Sequence, residues 1–132
     1  MKTFITMVSL ITMLLIFSPG IIFGQPKVIF DDYFIDKAMR IDFYITGDAK
    51  EEMITIDHIY QEEIWPEGKT NLIDSFNNGR NELKVYDVAS NQLIYSRGFD
   101  CMFGEYKTTT PALNGVKKTF NRSVRIPFPK RP

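Results

Sequence analysis

Hydrophobic and polar positions alternate with a period of two along much of this chain, the pattern of strands with one covered face. Met39, Ile41, Phe43 and Ile45 alternate with Arg40, Asp42, Tyr44 and Thr46, and Gly47-Asp48 closes the run. A second strand is predicted over residues 51–60, where Met53 precedes Ile54 and Ile56 in alternation with Thr55 and Asp57. Asn77-Asn78-Gly79 marks a turn, because Asn and Gly tolerate positive φ. Residues 83–88 then predict a strand, Ala89-Ser90-Asn91 a tight connection and residues 93–99 the returning strand, so this stretch reads as a hairpin. Residues 108–115, rich in Thr, Pro, Asn and Gly, predict a loop. Val124, Ile126 and Phe128 alternate with Ser123, Arg125 and Pro127 in a last strand. Pro127 and Pro129 have no N–H to donate, which places that strand at an edge or ends it there.

No stretch carries a helical stripe with caps. Short strands separated by turn signals predict an all-β fold, an antiparallel β-sandwich of two packed sheets, jelly-roll or immunoglobulin-like. The 11 Phe and 6 Tyr suit it, since aromatic side chains sit well on pleated surfaces and fill the space between sheets.

The N-terminus breaks the alternation. Met1-Lys2-Thr3 is a short basic start, and residues 4–17 are apolar except for Thr6, Ser9 and Thr12. Ser18-Pro19-Gly20 ends any helix, and Gly24 supplies a small residue before Gln25. That order predicts a secretory signal over residues 1–24 and export to the periplasm or the medium. A spanning helix wants about 20 mostly continuous apolar residues, and Pro19-Gly20 interrupts this run, so no stable membrane anchor is expected after cleavage. Residues 25–132 then form one domain.

Charge narrows the partners. Of 16 basic residues Lys2 leaves with the signal, so 15 face 16 acidic ones and the mature net charge is −1. The charges are interspersed, with only Lys117-Lys118 and Lys130-Arg131 as short basic clusters, which argues against nucleic acid. Cys101 is the sole cysteine, so no internal disulfide forms, and it reads as a small apolar residue. His58 is the sole histidine. A zinc site of several imidazoles cannot be assembled from it, and the H-E-x-x-H of zinc peptidases does not occur. Any Ser–His–Asp or Cys–His relay would have to use His58, which sits in a predicted strand beside Asp57 and near Glu62 and Glu63, with no G-x-S-x-G elbow in the chain. Neither a Walker loop nor a dinucleotide fingerprint is present. No catalytic residue, metal or cofactor is expected.

Three weaker features have a bland reading beside the sharp one. Asp31-Asp32 with Asp36 offers carboxylates to calcium but lacks EF-hand spacing, and reads more simply as a solvated strand-entry loop. Trp65-Pro66 near Tyr60 offers a flat ring to a glycan, or plugs the core. Phe103-Gly104-Glu105-Tyr106 docks on another domain, or turns a corner. Lying outside the alternating strand faces, Trp65, Phe76, Phe103 and Tyr106 are the candidate interface residues.

Several pieces, in order, resemble the N-terminal domain of the secreted IgA-type zinc metallopeptidases. They begin with Phe30-Asp31-Asp32-Tyr33-Phe34 and Lys37-Ala38-Met39-Arg40-Ile41-Asp42-Phe43-Tyr44, with Thr46-Gly47. Trp65, Lys69-Thr70-Asn71-Leu72-Ile73-Asp74 and Leu83-Lys84-Val85-Tyr86-Asp87 follow. Leu93-Ile94-Tyr95-Ser96-Arg97-Gly98-Phe99, Phe103-Gly104-Glu105-Tyr106-Lys107-Thr108-Thr109 and residues 120–129 complete the series, which spans residues 30–132. The resemblance implies a β-sandwich preceding a larger catalytic domain that holds the zinc. This sequence stops at Pro127-Phe128-Pro129-Lys130-Arg131-Pro132, where that domain is expected to begin, so no zinc ligand or catalytic glutamate carries over. The expected function is an exported, non-catalytic accessory module whose partner is a peptidase domain or its protein substrate. A glycan-binding module and an inactive truncated remnant are the alternatives.

Overall fold

Strand β1 (Phe34–Gly47) spans 14 residues and carries the rest of the fold. It pairs antiparallel with β2 (Glu52–Glu62) on one side and with β5 (Lys118–Pro129) on the other, giving a three-stranded sheet in the order β2-β1-β5. Strands β3 (Asn81–Tyr86) and β4 (Leu93–Phe99) form a separate antiparallel hairpin. Among the described residues, three short helices accompany the strands, α1 (Phe30–Tyr33), α2 (Met102–Tyr106) and α3 (Thr110–Leu113). The computed structural model describes residues 27–131, so the expected signal segment and its cleavage point lie outside the described residues.

The turn from β1 to β2 shows how the sequence sets the sheet. A Cβ on Gly47 would stand 2.0 Å from the Glu51 carbonyl oxygen, so only glycine lets the chain double back this closely. Asp48 Oδ1 then accepts the backbone N–H groups of Lys50 at 2.8 Å and Glu51 at 3.0 Å, satisfying donors that the turn leaves without ladder partners. Asp57 forms a bulge in β2, since Asp42 pairs with His58 while Phe43 pairs with Ile56.

Two hydrophobic clusters bind hairpin to sheet. The larger joins Phe34, Ala38 and Ile126 of the sheet to Ile94 and Tyr95 of β4, with Phe30 and Trp65 closing it. The smaller joins Phe43 and Ile45 of β1 to Phe103 of α2, with Phe99, Phe120 and Tyr106 around them. Phe103 and Phe120 meet edge to face at 5.9 Å, and Phe43 meets Phe99 the same way at 6.5 Å, the geometry the ring quadrupoles favour.

The all-β, antiparallel expectation is met, and so are the hairpin and the proline-bearing edge strand. Of the two sheets, that of β3 and β4 has only two strands. β3 stops at Tyr86, two residues earlier than expected, because Asp87 turns the chain: its carboxylate accepts from the Ser90 N–H at 2.9 Å and the Ser90 hydroxyl at 2.6 Å. The predicted loop at 108–115 contains α3, a single turn with Thr109 as its cap and Pro111 in its first turn. The Phe103-Gly104-Glu105-Tyr106 run lies in α2 and turns the corner out of β4.

Candidate functional site

The four candidate interface residues do not form one surface. Trp65 is 4 % exposed, its ring edge-on to Tyr95 at 6.0 Å and its indole N–H donating to the Gly68 carbonyl at 3.3 Å. Phe103, at 1 % exposed, lies inside the smaller cluster. Of the two readings open for each, interface contact or core plug and corner, the rings of Trp65 and Phe103 take the second: the segments carrying them fold back and bury them. A ring covered like that of Trp65 has no open face for a sugar. Tyr106 is half-buried against Phe103 and Phe120 and spends its hydroxyl on the Val116 carbonyl at 2.6 Å. Phe76 alone is open, 82 % exposed, at the tip of the loop that precedes β3.

Trp65 and Phe76 border a cleft of about 500 Å³, shared with Asp74, Tyr95 and Arg97. Its charged groups Asp74, Arg97 and Glu67 are paired within the fold. Asp74 Oδ1 accepts from Phe76 N–H at 2.9 Å and Asn77 N–H at 3.1 Å, while Oδ2 accepts from Gly98 N–H at 2.9 Å. These donors, the Gly98 N–H foremost, hold the carboxyl below the usual aspartate range. Arg97 pairs with Glu67, which raises the guanidinium further above its ordinary value, and burial pushes the Tyr95 phenol up. The cleft thus holds ion pairs and hydrogen bonds around a packed indole.

The outer face of the three-stranded sheet carries a charge network. Arg40 reaches Asp42 at 3.1 Å and Glu62 at 3.2 Å, and lies 4.6 Å from the Tyr60 ring centre. Arg125 reaches Glu62 at 2.6 Å. Glu62 is held below its ordinary value chiefly by the Arg125 hydrogen bond, and Asp42 chiefly by that of Ser123. His58 stands on this face, exposed, beside Asp57 at 3.0 Å and stacked on Tyr60 at 5.7 Å. Among the described residues, no serine, threonine or cysteine side chain is hydrogen-bonded to it.

The acidic strand entry is spread out rather than gathered. Asp31 and Asp32 belong to α1, while Asp36 pairs with Lys69 at 2.8 Å. Among the described residues, no group of three or more His, Cys, Asp or Glu side chains is placed to hold a metal ion. Nor is any helix among them long and apolar enough to cross a membrane.

One surface was not singled out by sequence reasoning. Ile54, Ile56 and Ile59 on β2 oppose Ile45, Phe43 and Ile41 on β1, so they share the core side of the sheet. They are 57 %, 62 % and 55 % exposed, because the hairpin and α2 cover β1 and β5 and stop short of β2. Alternation shows which side of a strand is apolar, and nothing in it shows whether that side is covered.

No curated protein matches the chain in sequence. The family model described as Peptidase M64 N-terminus matches residues 29–132, which takes in every strand and helix described above. On that match, this chain belongs to the Peptidase M64 N-terminus family.

Proposed function

We propose that this domain is an exported, non-catalytic accessory module of a peptidase, which packs against a peptidase domain or presents protein substrate to it. The observation that carries the reading is the family match over residues 29–132, set against a chain whose histidine inventory is His58 alone. Zinc peptidases of the H-E-x-x-H type need at least two imidazoles on one helix face, and His58 lies on a strand. In this reading the hairpin stacked on the three-stranded sheet is a reduced two-layer sandwich, a rigid body that gives a partner a fixed surface. Its N-terminal segment directs it out of the cytoplasm. A glycan-binding role gains no support from Trp65, whose ring is covered.

The test is proteolysis by the purified domain with zinc supplied. No cleavage of an unfolded protein substrate above a blank is expected, and chelator-sensitive turnover by pure protein would overturn the reading.

A further inference from the structure

We propose that the groove between the free edge of β5 and the β3–β4 hairpin is a docking site for one acidic side chain, Asp or Glu, of a protein partner, with Arg122 receiving its carboxylate. The inference deepens the accessory-module reading and rests on it for a protein as the partner.

Among the described residues β5 pairs with β1 alone, so its other edge has no neighbouring strand. Residues 122–125 of β5 line one side of a groove of about 210 Å³, and Arg97 with Pro66 and Glu67 lines the other. Leu83, Phe99 and Val124, half-buried at the fringe of the two hydrophobic clusters, give it apolar surface. Small-molecule sites usually enclose about 300–1,000 Å³, so this smaller space suits a single side chain.

The charges lining the groove do not cancel. Arg97 is paired with Glu67. Arg125 reaches Glu62 at 2.6 Å, and Arg40, which shares Glu62, also holds Asp42 at 3.1 Å, so these four balance. Arg122 is left over. No carboxylate of the described residues lies within ion-pair distance of it. Its guanidinium donates from Nη2 to the Asp100 carbonyl oxygen at 2.8 Å. A guanidinium carries several N–H donors in a rigid fork, so this bond holds the head group in place and leaves the other donors for a ligand.

One uncompensated positive charge matches one carboxylate. A phosphate monoester brings about −1.5 to −2 near neutral pH and would face Glu67 across the groove as well. The apolar surface beside Arg122 suits the methylene stem of an acidic side chain and the residues flanking it. Hydrogen bonds between a guanidinium and a carboxylate are about twice as strong as those between neutral groups, which gives the contact its preference for an acid over the matching amide.

The probes are two blocked tripeptides, acetyl-Val-Glu-Val-amide and acetyl-Val-Gln-Val-amide, with inorganic phosphate as a third, each titrated into the isotope-labelled protein. The Glu peptide is expected to move the Arg122 Nε–H resonance and the amides of residues 122–125, with the Gln peptide about tenfold weaker. Arg122→Gln, at an exposed position, should weaken the Glu peptide to the level of the Gln peptide and leave the latter unchanged. Lys50→Gln removes an equal charge from the turn between β1 and β2, outside the groove, and should alter neither. Shifts that spare the groove, equal binding of the two peptides, or an equal loss from Lys50→Gln would overturn the proposal. So would phosphate that displaces the Glu peptide from the same resonances at a lower concentration, which would assign the groove to a free anion. Proteolysis by the pure domain would sink the accessory-module reading and leave these titrations as they are, so the two fail separately.

Discussion

The Asp74 carboxylate accepts the backbone N–H of Gly98 at 2.9 Å, and through this contact the loop leading to β3 is fastened to β4, the strand that follows it. The same carboxylate caps the N–H groups of Phe76 and Asn77, and the Asp74 N–H donates to the Ser96 hydroxyl at 2.9 Å. Asn77 takes a φ of 46°, a left-handed conformation that Asn adopts more readily than most residues. One side chain thus closes a loop, orders a turn and aligns a hairpin.

That arrangement makes a prediction about acid. Because Asp74 titrates below its ordinary value of 3.8 in the folded protein, its contribution is present above that value and is lost as the pH falls through the lower, folded one. Asp42, Asp48, Asp87 and Glu62 are depressed as well, so the domain should lose stability as the pH drops below about 4. Asp74→Asn should lower the melting temperature at pH 7, and the gap from wild type should narrow toward pH 2. Thermal melts across that range would show it, and a gap of constant size would mean that the charge of Asp74 does not matter.

Gly98 meets the same loop from the other side. A Cβ there would lie 2.3 Å from the Asn78 carbonyl oxygen and 2.9 Å from its nitrogen, both backbone atoms that cannot rotate away. Gly98→Ala should therefore cost about 1–3 kcal/mol, the usual range for overpacking a close contact. Denaturant unfolding monitored by circular dichroism would measure this. An unchanged midpoint would show that the loop can step back from β4 without penalty.

Trp65 gives a spectroscopic check. An indole 4 % exposed and edge-on to Tyr95 should emit at short wavelength, shift to the red on unfolding and stay unchanged on titration with oligosaccharides. Trp65→Ala should cost about 3–5 kcal/mol, the range for emptying a large aromatic site in a core. A sugar-dependent quench in the folded protein would restore the glycan reading.

Elements whose signal is local were legible in the sequence. Gly47-Asp48, Asn77-Asn78-Gly79 and the pair of prolines at 127 and 129 each constrain the backbone where they stand, and the structure has a turn or an edge at each. The antiparallel all-β class followed from the same alternation. Helix α3 was hidden for a different reason. Its cap Thr109 and its Pro111 were visible, but four residues are too few to display a helical period. The burial of Trp65 and Phe103 was less legible, because they lie outside the regular strands, where no alternation says which way a side chain turns. Coverage is less legible still, since it depends on where the β3–β4 hairpin lands on the sheet.

Ile45 and Ile54 put that last point to a quantitative test. They are direct partners across the β1–β2 ladder and face the same side, yet Ile45 is fully buried against the smaller cluster while Ile54 is 57 % exposed. Ile45→Ala should cost about 2–5 kcal/mol, because it removes packed methyl groups and leaves a cavity. Ile54→Ala removes the same atoms where solvent already reaches them and should change stability by about 0.5 kcal/mol or less. Urea midpoints of the two variants at equal protein concentration measure the contrast. Similar losses at both positions would mean that the face of β2 is already covered in the isolated chain. A loss at Ile45 alone leaves the β2 stripe as apolar surface that the domain itself does not need.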